Sequence, residues 1–430
     1  MELFSKIISI LFDGVLCGAF LLSAMYLVTT VSVLIFCRKQ EHLPEVEDDE
    51  LLPHVTIQLP SRNEAAVLNC AQCCLDFDYP KDRYEIIIGD DSNQPEVSAK
   101  IDEFAAKTGV RVSRRPTNEG FKAGNLNTMN AISNGDYILV LDSDFVPTKD
   151  FLRRLVRPVV INPDLAAVQA RWHINNAHQN LTTLFGAGII DTIHMIMLPF
   201  LKYVLKGAFL CGSGMLIKKA ALEKINGWST EALTEDVDCA LRIMEGGGHI
   251  HYLPDLVVDG ETPYRVLDLY KQQMRWAYGV TRACFTHLGR IARAKIMLRR
   301  KLAMIIFSGG YLMSGLLLLN LIFGTLNFWV NAIISAEPFN EHSVAGNWIA
   351  VRNFFLTCGM LATSIFAGFM KGNGVRHLMQ LFVASFTLGT AMLLWVGRGL
   401  FLALFNLPLQ WHAPRKSADE VIMATPLPEE

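Results

Sequence analysis

Two carboxylates stand one residue apart in Asp142-Ser143-Asp144, directly after the apolar run 137–141. Carboxylate oxygens are the ligands that Mg²⁺ and Mn²⁺ favour in proteins, and a cation held by them can bridge the oxygens of a diphosphate. An isolated Asp-x-Asp is more often a polar turn than a site. Its meaning therefore depends on the other residues that the fold brings to it.

A second acidic pair, Asp90-Asp91, follows the apolar run 85–89. Acids at such a point can accept hydrogen bonds from a nucleotide base or ribose, although an Asx turn that closes a strand would use the same residues. Farther along, Lys122 has a glycine two residues away on each side. Small neighbours permit close approach of the backbone to a phosphate, which the ammonium can neutralise. The spacing is not that of a P-loop, so an ATPase is not indicated.

The tripeptide Thr234-Glu235-Asp236 begins a segment with helical apolar spacing, and Thr234 is a residue type that caps helices. An acid in the first turn of a helix is common for structural reasons alone. The helix N-terminus also favours the ionised carboxylate, as a general base requires if it is to take a proton from a hydroxyl. We therefore predict that Asp236 is the base of a transfer reaction.

Amide, guanidinium and indole groups come together in Gln272, Arg275 and Trp276. Arginine can neutralise a departing diphosphate, and tryptophan can stack on the apolar face of a sugar ring. An interfacial anchor pair at a membrane surface is the alternative for Arg275 and Trp276. The loop 211–214 contains two glycines, which permit backbone approach to a ligand, although a loop that needs positive φ accounts for them equally well.

Such side chains act together only if the fold brings them to one place. The runs 55–59, 85–89 and 137–141 are short and apolar, as buried parallel strands are, and 64–75 has helical spacing between the first two. This order predicts a doubly wound α/β sheet. Both acidic pairs follow its strands, at the carboxyl edge where such sheets bind ligands.

The composition is too apolar and too poor in charge for a chain that is surrounded only by water. Of the 430 residues 51% are hydrophobic and 19% are charged, against about 25% charged in ordinary globular proteins. Segment 14–37 has 24 consecutive uncharged residues, enough for one helical crossing of a bilayer. Arg38 and Lys39 at its end indicate the cytosolic side. The block 51–300 has ordinary charge content and is expected to be a cytosolic domain.

Further apolar segments follow that block. Two crossings fit into 302–370, and a last stretch at 378–411 is too long for one simple crossing and short for two. It is interrupted by Arg398, which could mark a helix end, a helix facing the bundle interior, or a turn onto the membrane surface. The apolar segment 181–205 contains several polar residues, so we predict an interfacial helix, with a buried core helix as the alternative.

Charge and cysteine content exclude other classes of protein. Lys plus Arg is 39 and Asp plus Glu is 41, a formal charge of −2, so no basic excess is available for a nucleic-acid backbone. The nine cysteines are an odd number scattered over a long chain, unlike the disulfide framework of a small secreted domain. We expect reduced thiols.

In order along the chain, these motifs form a set that covers about 55–279. The set is Asp90-Asp91-Ser92, Lys122-Ala123-Gly124, Asp142-Ser143-Asp144, Val168-Gln169-Ala170-Arg171-Trp172, Thr234-Glu235-Asp236 and Gln272-Gln273-Met274-Arg275-Trp276. It resembles the inverting, membrane-integrated family-2 glycosyltransferases of the cellulose-synthase-like group, and in particular their mannan and glucan synthase-like branch.

The resemblance implies a GT-A-type, mostly parallel sheet domain inserted between about four transmembrane helices, with interfacial helices. It implies Mg²⁺ or Mn²⁺ as cofactor and a role for each site residue. The catalytic base would be Asp236; the nucleotide-sugar-binding residues Asp90, Asp91, Lys122, Asp142, Gln272 and Arg275; the acceptor-binding residues Cys211, Gly212, Ser213, Glu235 and Trp276; and the metal ligands Asp142 and Asp144. The segment 411–416 is similar to a tryptophan and basic motif that some members place near a channel mouth.

These features predict an enzyme of a plasma, inner or equivalent biosynthetic membrane. It would transfer a sugar from a UDP- or GDP-linked donor, with inversion, to a β-linked glycan such as a glucan or mannan. A lipid acceptor is the alternative, and a transporter or scaffold that only binds nucleotide is a remote one. The predicted units are 1–50 (first membrane helix and linker), 51–300 (GT-A domain), 301–412 (further membrane helices) and 413–430 (tail).

Overall fold

The structure is a computed structural model that describes residues 2–37, 43–335 and 344–409. Arg38, Lys39 and the predicted motif at 411–416 lie outside the described residues. The strands are β1 Val55–Ser61, β2 Tyr84–Asp90, β3 Arg111–Ser113, β4 Tyr137–Val140, β5 Leu165–Ile174, β6 Met215–Lys218 and β7 His249–Gly260.

Helices precede, connect and follow these strands. They are α1 Glu2–Phe36, α2 Val67–Leu75, α3 Pro95–Thr108, α4 Phe121–Ala131, α5 Phe151–Ile161, α6 Leu181–Asp191, α7 Leu198–Phe200, α8 Lys219–Lys224, α9 Glu235–Glu245, α10 Val266–Arg293, α11 Leu298–Ser308, α12 Leu312–Ser335, α13 Val344–Thr357, α14 Gly359–Met370 and α15 Val375–Leu404, with a 3₁₀ turn at Asp49–Leu51.

The seven strands form one mixed sheet in the order β3-β2-β1-β4-β6-β5-β7. Strands β3, β2, β1 and β4 are parallel, β6 is antiparallel to both of its neighbours, and β5 and β7 are parallel to each other. The predicted strands at 55–59, 85–89 and 137–141 and the helix between the first two are confirmed, within a few residues at each end. The predicted carboxyl edge therefore exists, with the ends of β2 and β4 on either side of β1.

The two faces of the sheet pack in different ways. One face is covered by α2 and α5, which bury an aliphatic and aromatic core that includes Ile57, Cys70 and Phe151. The other face belongs to an apolar cluster that continues without interruption from the sheet into α1, α11 and α12. The sheet domain is therefore packed directly against the apolar helices, and its position relative to them is fixed by buried surface.

Within the described parts of the chain, four helical segments are long and apolar enough to cross a bilayer, and a fifth is added if a bent pair counts as one span. The four are Leu3–Phe36, Leu181–Leu205, Leu312–Val330 and Val375–Leu404; the bent pair is Val351–Thr357 with Gly359–Met370, at an angle of 57°. The last apolar stretch is a single helix, which leaves Arg398 inside α15, on an exposed position.

The segment Leu181–Leu205 differs from a simple interfacial helix because most of its residues are buried inside the protein. It combines α6 and α7 with two π-helical segments. Its charged groups are paired internally: Asp191 accepts from Lys371 Nζ at 3.1 Å, and Lys202 Nζ donates to the carbonyl of Tyr252 at 2.8 Å. The burial is that of a core helix, which was the alternative prediction for this segment.

The last apolar helix makes close contact with α10. At Gly399 of α15, a methyl group would lie 2.5 Å from the carbonyl oxygen of Met274. The backbones of the two helices are therefore in close contact at this crossing, where Gly399 has no side chain. Met274 precedes Arg275 and Trp276, so an apolar helix supports the helix that carries these candidate site residues.

Candidate active site

A cavity of about 740 Å³ opens at the carboxyl edge of the sheet and extends between the apolar helices. It gathers most of the predicted site residues, although these are far apart in the chain. Those that line it are Asp91, Lys122, Asp142, Asp144, Cys211, Gly212, Glu235, Asp236, Gln272, Arg275 and Trp276. Two predicted residues, Asp90 and Ser213, are not part of its lining.

The elements that present these groups follow from the local sequence. Asp91 follows β2 directly, and Asp142 and Asp144 follow β4, so their side chains reach the edge where parallel strands end. Lys122 and Asp236 lie in the first turns of α4 and α9. Sheet edge and helix N-termini therefore meet on one side of the cavity, while α10 provides the opposite side.

Lys122 is the central cation of the site. Its Nζ lies 2.6 Å from Asp142 Oδ1 and 3.3 Å from Glu235 Oε1, and it donates to the carbonyl oxygen of Gly212 at 2.9 Å. Burial lowers the pKa of Lys122, but the Asp142 and Glu235 carboxylates raise it more, so the net pKa is raised. The ammonium is thus held charged and links the end of β4, the start of α9 and the 211–214 loop.

Asp236 has a raised pKa. Burial and the negative charge of Glu235 raise the pKa of Asp236 to about 7, while Lys122 and backbone N–H groups act in the opposite direction. Helix position alone predicts an ionised carboxylate, but desolvation outweighs it here. The predicted cap by Thr234 is wrong: its side chain makes no capping bond, and Thr234 Oγ1 is buried without a hydrogen-bond partner among the described residues.

Asp90 and Asp91, at the end of β2, have different surroundings. Asp90 is 4% exposed, accepts hydrogen bonds from Ser98 and Arg114 and does not line the cavity, so its contact with a nucleotide stays a prediction. Asp91 faces the cavity and accepts two hydrogen bonds from Arg115, at 2.8 and 2.5 Å. Arg115 was not indicated by any motif, and only the fold shows that it holds the Asp91 carboxylate in place.

Ser213 supports the site from behind the cavity wall. Its hydroxyl accepts from the N–H of Asp142 at 2.9 Å and is fully buried, so its contact with an acceptor stays a prediction. The loop around it is held by the Gln-Ala-Arg-Trp motif: Gln169 accepts from the Cys211 N–H, and Gln169 Nε2 and Trp172 Nε1 donate to the Ser213 carbonyl. This motif therefore fixes the loop that faces Asp236 and Lys122.

Asp142 and Asp144 suit a divalent cation whose remaining ligands are phosphate oxygens and waters. Both carboxylates line the cavity, and one oxygen of Asp144 accepts from the N–H of Glu261. Among residues 2–37, 43–335 and 344–409, no group of three or more His, Cys, Asp or Glu side chains forms a complete metal cage. Mg²⁺ and similar cations are commonly held by one or two carboxylates, with phosphate oxygens and waters completing the shell.

Helix α10 closes the cavity on the side of the apolar helices. Gln272, Gln273, Arg275 and Trp276 line it, and Gln273 also accepts from Tyr311 Oη at 3.0 Å. Arg275 Nε is buried and makes no hydrogen bond within the described part of the chain. A buried guanidinium nitrogen without a partner calls for an acceptor from a ligand.

The fold and this edge-of-sheet site define a GT-A-type glycosyltransferase, and sequence comparison identifies the family. A family model described as glycosyltransferase-like family 2 matches residues 53–279, more than half of the chain. The chain belongs to this family. The resemblance derived from the motifs is thereby confirmed, and the family favours an enzyme using a nucleotide sugar over a transporter or scaffold.

Named relatives agree with the cellulose-synthase-like group. Cellulose synthase 1 of Komagataeibacter xylinus is 31% identical over 243 residues, 55% of this chain and 15% of that protein. Probable glucomannan 4-beta-mannosyltransferase 1 of Arabidopsis thaliana is 33% identical over 53% of this chain and 43% of its own length. The chain thus spans less than half of these relatives. Probable glycosyltransferase YdaM of Bacillus subtilis is 29% identical over 85% of this chain and 87% of its own.

A solved structure shares the complete fold. Mannosyltransferase PcManGT from Pyrobaculum calidifontis, in complex with GDP-Man and Mn²⁺, superposes with a TM-score of 0.59 over 94% of this chain and 99% of its own, at 17% identity. The GT-A-type sheet and its attached apolar helices therefore occur together in another protein.

Substitution of Gly212 tests the position of the 211–214 loop. Gly212 has φ +90°, and an added methyl group would lie 3.2 Å from Asp236 Oδ2 and 3.6 Å from Lys122 Nζ. We expect Gly212→Ala to lower kcat for release of nucleoside diphosphate about tenfold or more, since displacement near reacting groups is costly. Gly109→Ala is the matched control, because Gly109 has φ +75° and open space around the added methyl. Equal losses in both variants would contradict the placement of the loop.

Proposed function

We propose that the chain transfers a sugar, with inversion, from a nucleotide diphosphate sugar to a hydroxyl of an acceptor at the membrane surface. The observation that carries this proposal is that Asp91, Asp144, Asp236 and Arg275 face one cavity although they come from four separate segments. An acidic base, a cation site and cationic groups for a diphosphate are the parts that such a reaction needs.

In the proposed mechanism Asp236 accepts the proton of the acceptor hydroxyl. A pKa near 7 suits this role, because about half of the carboxylate is ionised at neutral pH and the ionised form is basic enough to take the proton. A single displacement, with base and departing diphosphate on opposite sides of the anomeric carbon, inverts the configuration; the same geometric logic distinguishes inverting glycosidases. Lys122 and Arg275 provide positive charge for the donor phosphates.

The proposed cofactor is Mg²⁺ or Mn²⁺. Asp144, with Asp142 shared between the cation and Lys122, would hold it, and when bound the cation neutralises charge on the departing diphosphate. The PcManGT structure was obtained with Mn²⁺ and a GDP-linked sugar, which supports the same class of donor and cation here. Asp91 is proposed to contact the nucleotide base, with Arg115 fixing its orientation.

Replacement of Asp236 tests whether the side chain acts in sugar transfer or in nucleotide binding. Asp236→Asn keeps the size of the side chain and removes its basicity, so we expect sugar transfer to be lost while the Kd for UDP or GDP changes less than about threefold. Transfer is measured with labelled nucleotide sugar, and nucleotide binding by calorimetry. Retained turnover in Asp236→Asn would overturn the assignment of the base.

The raised pKa of Asp236 also predicts the acidic side of the pH profile. Asp236 is active when ionised, so kcat should fall as the pH decreases through about 7, roughly tenfold for each further unit. A carboxylate with an ordinary pKa would keep full activity down to about pH 5. The measurement is initial rate against pH at saturating donor, and a flat profile between pH 5 and 8 would contradict this assignment.

A β-linked glycan is the first candidate acceptor. The names of the cellulose synthase and glucomannan mannosyltransferase relatives support it, and Trp276 offers a flat surface on which a sugar ring can stack. Polar side chains farther into the cavity, Ser314 and Asn320 of α12 and Thr390 of α15, offer hydrogen bonds to sugar hydroxyls.

A glycolipid is the second candidate, favoured by the inner half of the cavity. Its walls between the apolar helices are mainly aliphatic and aromatic, and none of the described lining residues from α12 to α15 is Asp, Glu, Lys or Arg. Such walls suit a hydrocarbon chain better than a chain of hydroxyl-rich sugars. Examples are Ile189, Leu317, Leu321, Phe354, Leu361 and Leu393.

The product distinguishes the two acceptors. Labelled UDP-glucose, UDP-N-acetylglucosamine and GDP-mannose are incubated with membranes that contain the enzyme or its Asp236→Asn variant, and the products are partitioned between water and organic solvent. We expect Asp236-dependent, water-soluble chains of mixed length for a glycan synthase. Label only in the organic phase would reject the glycan and establish the glycolipid.

The arrangement of the units is part of the proposal. We propose that 51–300 is the cytosolic enzyme domain, between the first membrane helix in 1–50 and the later ones in 301–412, with a tail at 413–430. The basic residues Arg38 and Lys39, next to the first helix, support a cytosolic position.

A further inference from the structure

A buried cluster of charges joins α9 to α10 behind the cavity. At its centre is His287 of α10, whose side chain is 0% exposed. His287 Nε2 lies 2.9 Å from Asp238 Oδ1 and Nδ1 lies 2.6 Å from Glu245 Oε1, both on α9. None of the sequence motifs includes His287, and it does not line the cavity.

The two carboxylates favour the charged form of His287. Ionised carboxylates only accept hydrogen bonds, so a ring with a proton on both nitrogens satisfies both partners. Two further cations face the cluster: Arg242 on α9, whose Nε donates to Asp238 Oδ2 at 2.7 Å, and the exposed Arg290 on α10, whose Nε lies 3.3 Å from Glu245. Arg290 Nη2 lies 3.0 Å from His287 Nδ1, and its positive charge acts against protonation of the ring. Burial lowers the pKa of His287, but the hydrogen bonds and charges of Asp238 and Glu245 raise it more.

The cluster continues from α9 to α4. Arg242 Nη1 donates to the carbonyls of Ile225 and Gly227, at 2.6 and 2.8 Å. The next residue, Trp228, exchanges two hydrogen bonds with the side chain of Asn127 on α4, at 2.8 and 2.9 Å. A buried path of polar contacts therefore connects α10, α9 and α4.

These three helices carry the central groups of the site. Lys122 is in the first turn of α4, Asp236 in the first turn of α9, and Arg275 lies on α10, 12 residues or about 18 Å along the helix from His287. We propose that His287 is a positioning residue: its protonated ring ties α9 to α10 and so holds Asp236 in line with the diphosphate-binding side chains. This inference rests on the proposed roles of Asp236 and Arg275.

Loss of the second ring proton of His287 weakens the link between α9 and α10. A neutral imidazole donates one hydrogen bond, so one of the two carboxylates then faces a ring lone pair and lacks a buried partner. The start of α9 is released relative to α10, and small displacements of reacting groups are costly in rate. The pH profile of the enzyme should therefore have two sides: an acidic one from Asp236 and an alkaline one from His287.

The experiment compares His287→Gln, Glu245→Gln and the double variant in the full-length, detergent-solubilised protein. The rate of nucleoside diphosphate release from UDP-glucose and GDP-mannose gives kcat and KM, and Tm is measured in parallel. We expect His287→Gln to lower kcat about 10- to 100-fold with KM for the donor within about threefold, and to remove the alkaline side of the profile. Adding Glu245→Gln should restore part of kcat, because one uncompensated carboxylate is removed.

Glu245→Gln alone keeps the proposal testable if His287→Gln does not fold. It removes one of the charges that favour protonated His287, so the alkaline side of the profile should move to lower pH. His54→Gln, at an exposed position, is the matched control and should leave rate and profile unchanged. An unchanged alkaline side in both cluster variants, or a loss of kcat in His287→Gln that only follows Tm and is not restored in the double variant, overturns the proposal.

The assay also separates this inference from the proposed function. If the unaltered protein releases no nucleoside diphosphate from any donor, the proposed function itself fails. If Asp236→Asn retains full turnover, the assignment of the base fails. A kcat for His287→Gln within twofold of the unaltered enzyme, in a protein that does depend on Asp236, rejects the role of His287 alone.

Discussion

One buried ammonium makes the rest of the site possible. Asp142, Glu235 and Asp236 are three acids from two distant segments, and without a cation among them their mutual repulsion and desolvation would be prohibitive. Lys122 contacts two of them and the carbonyl of Gly212. It thereby fixes the relative positions of β4, α9 and the loop 211–214. A site that gathers negative charge before a phosphate and a divalent cation arrive needs this internal counter-charge, and here the first turn of α4 supplies it.

Two kinds of contact hold the residues around Lys122 in place. The sheet edge brings Asp91 and Asp142 together through parallel pairing of β2, β1 and β4, which is ordinary α/β geometry. The remaining supports are polar contacts over long sequence distances: Arg115 to Asp91, and Gln169 to the 211–214 loop. The first kind sets the location of the site, and the second sets the orientation of each side chain within it.

Much of the fold was predictable from the sequence, because short apolar runs that end in acids, as at 85–91 and 137–144, are typical of buried parallel strands that reach a ligand-binding edge. The roles of neighbours were less predictable. Successive residues at a strand end point in opposite directions, so only one of Asp90 and Asp91 can face a ligand, and the sequence does not say which. The pKa of Asp236 depends on its burial and on the charge of Glu235, and the part played by Ser213 depends on Asp142, 71 residues away. Such effects arise only when distant segments pack.

The crossing of α15 and α10 ties the candidate site to the apolar helices. Gly399 leaves no room for even a methyl group against the Met274 carbonyl, so a displacement of α15 is passed directly to the backbone of α10. Helix α10 carries Arg275 and Trp276, which line the cavity. If α15 crosses a bilayer, as proposed above, it answers changes in bilayer thickness by tilting, and lipid composition then becomes a variable of turnover.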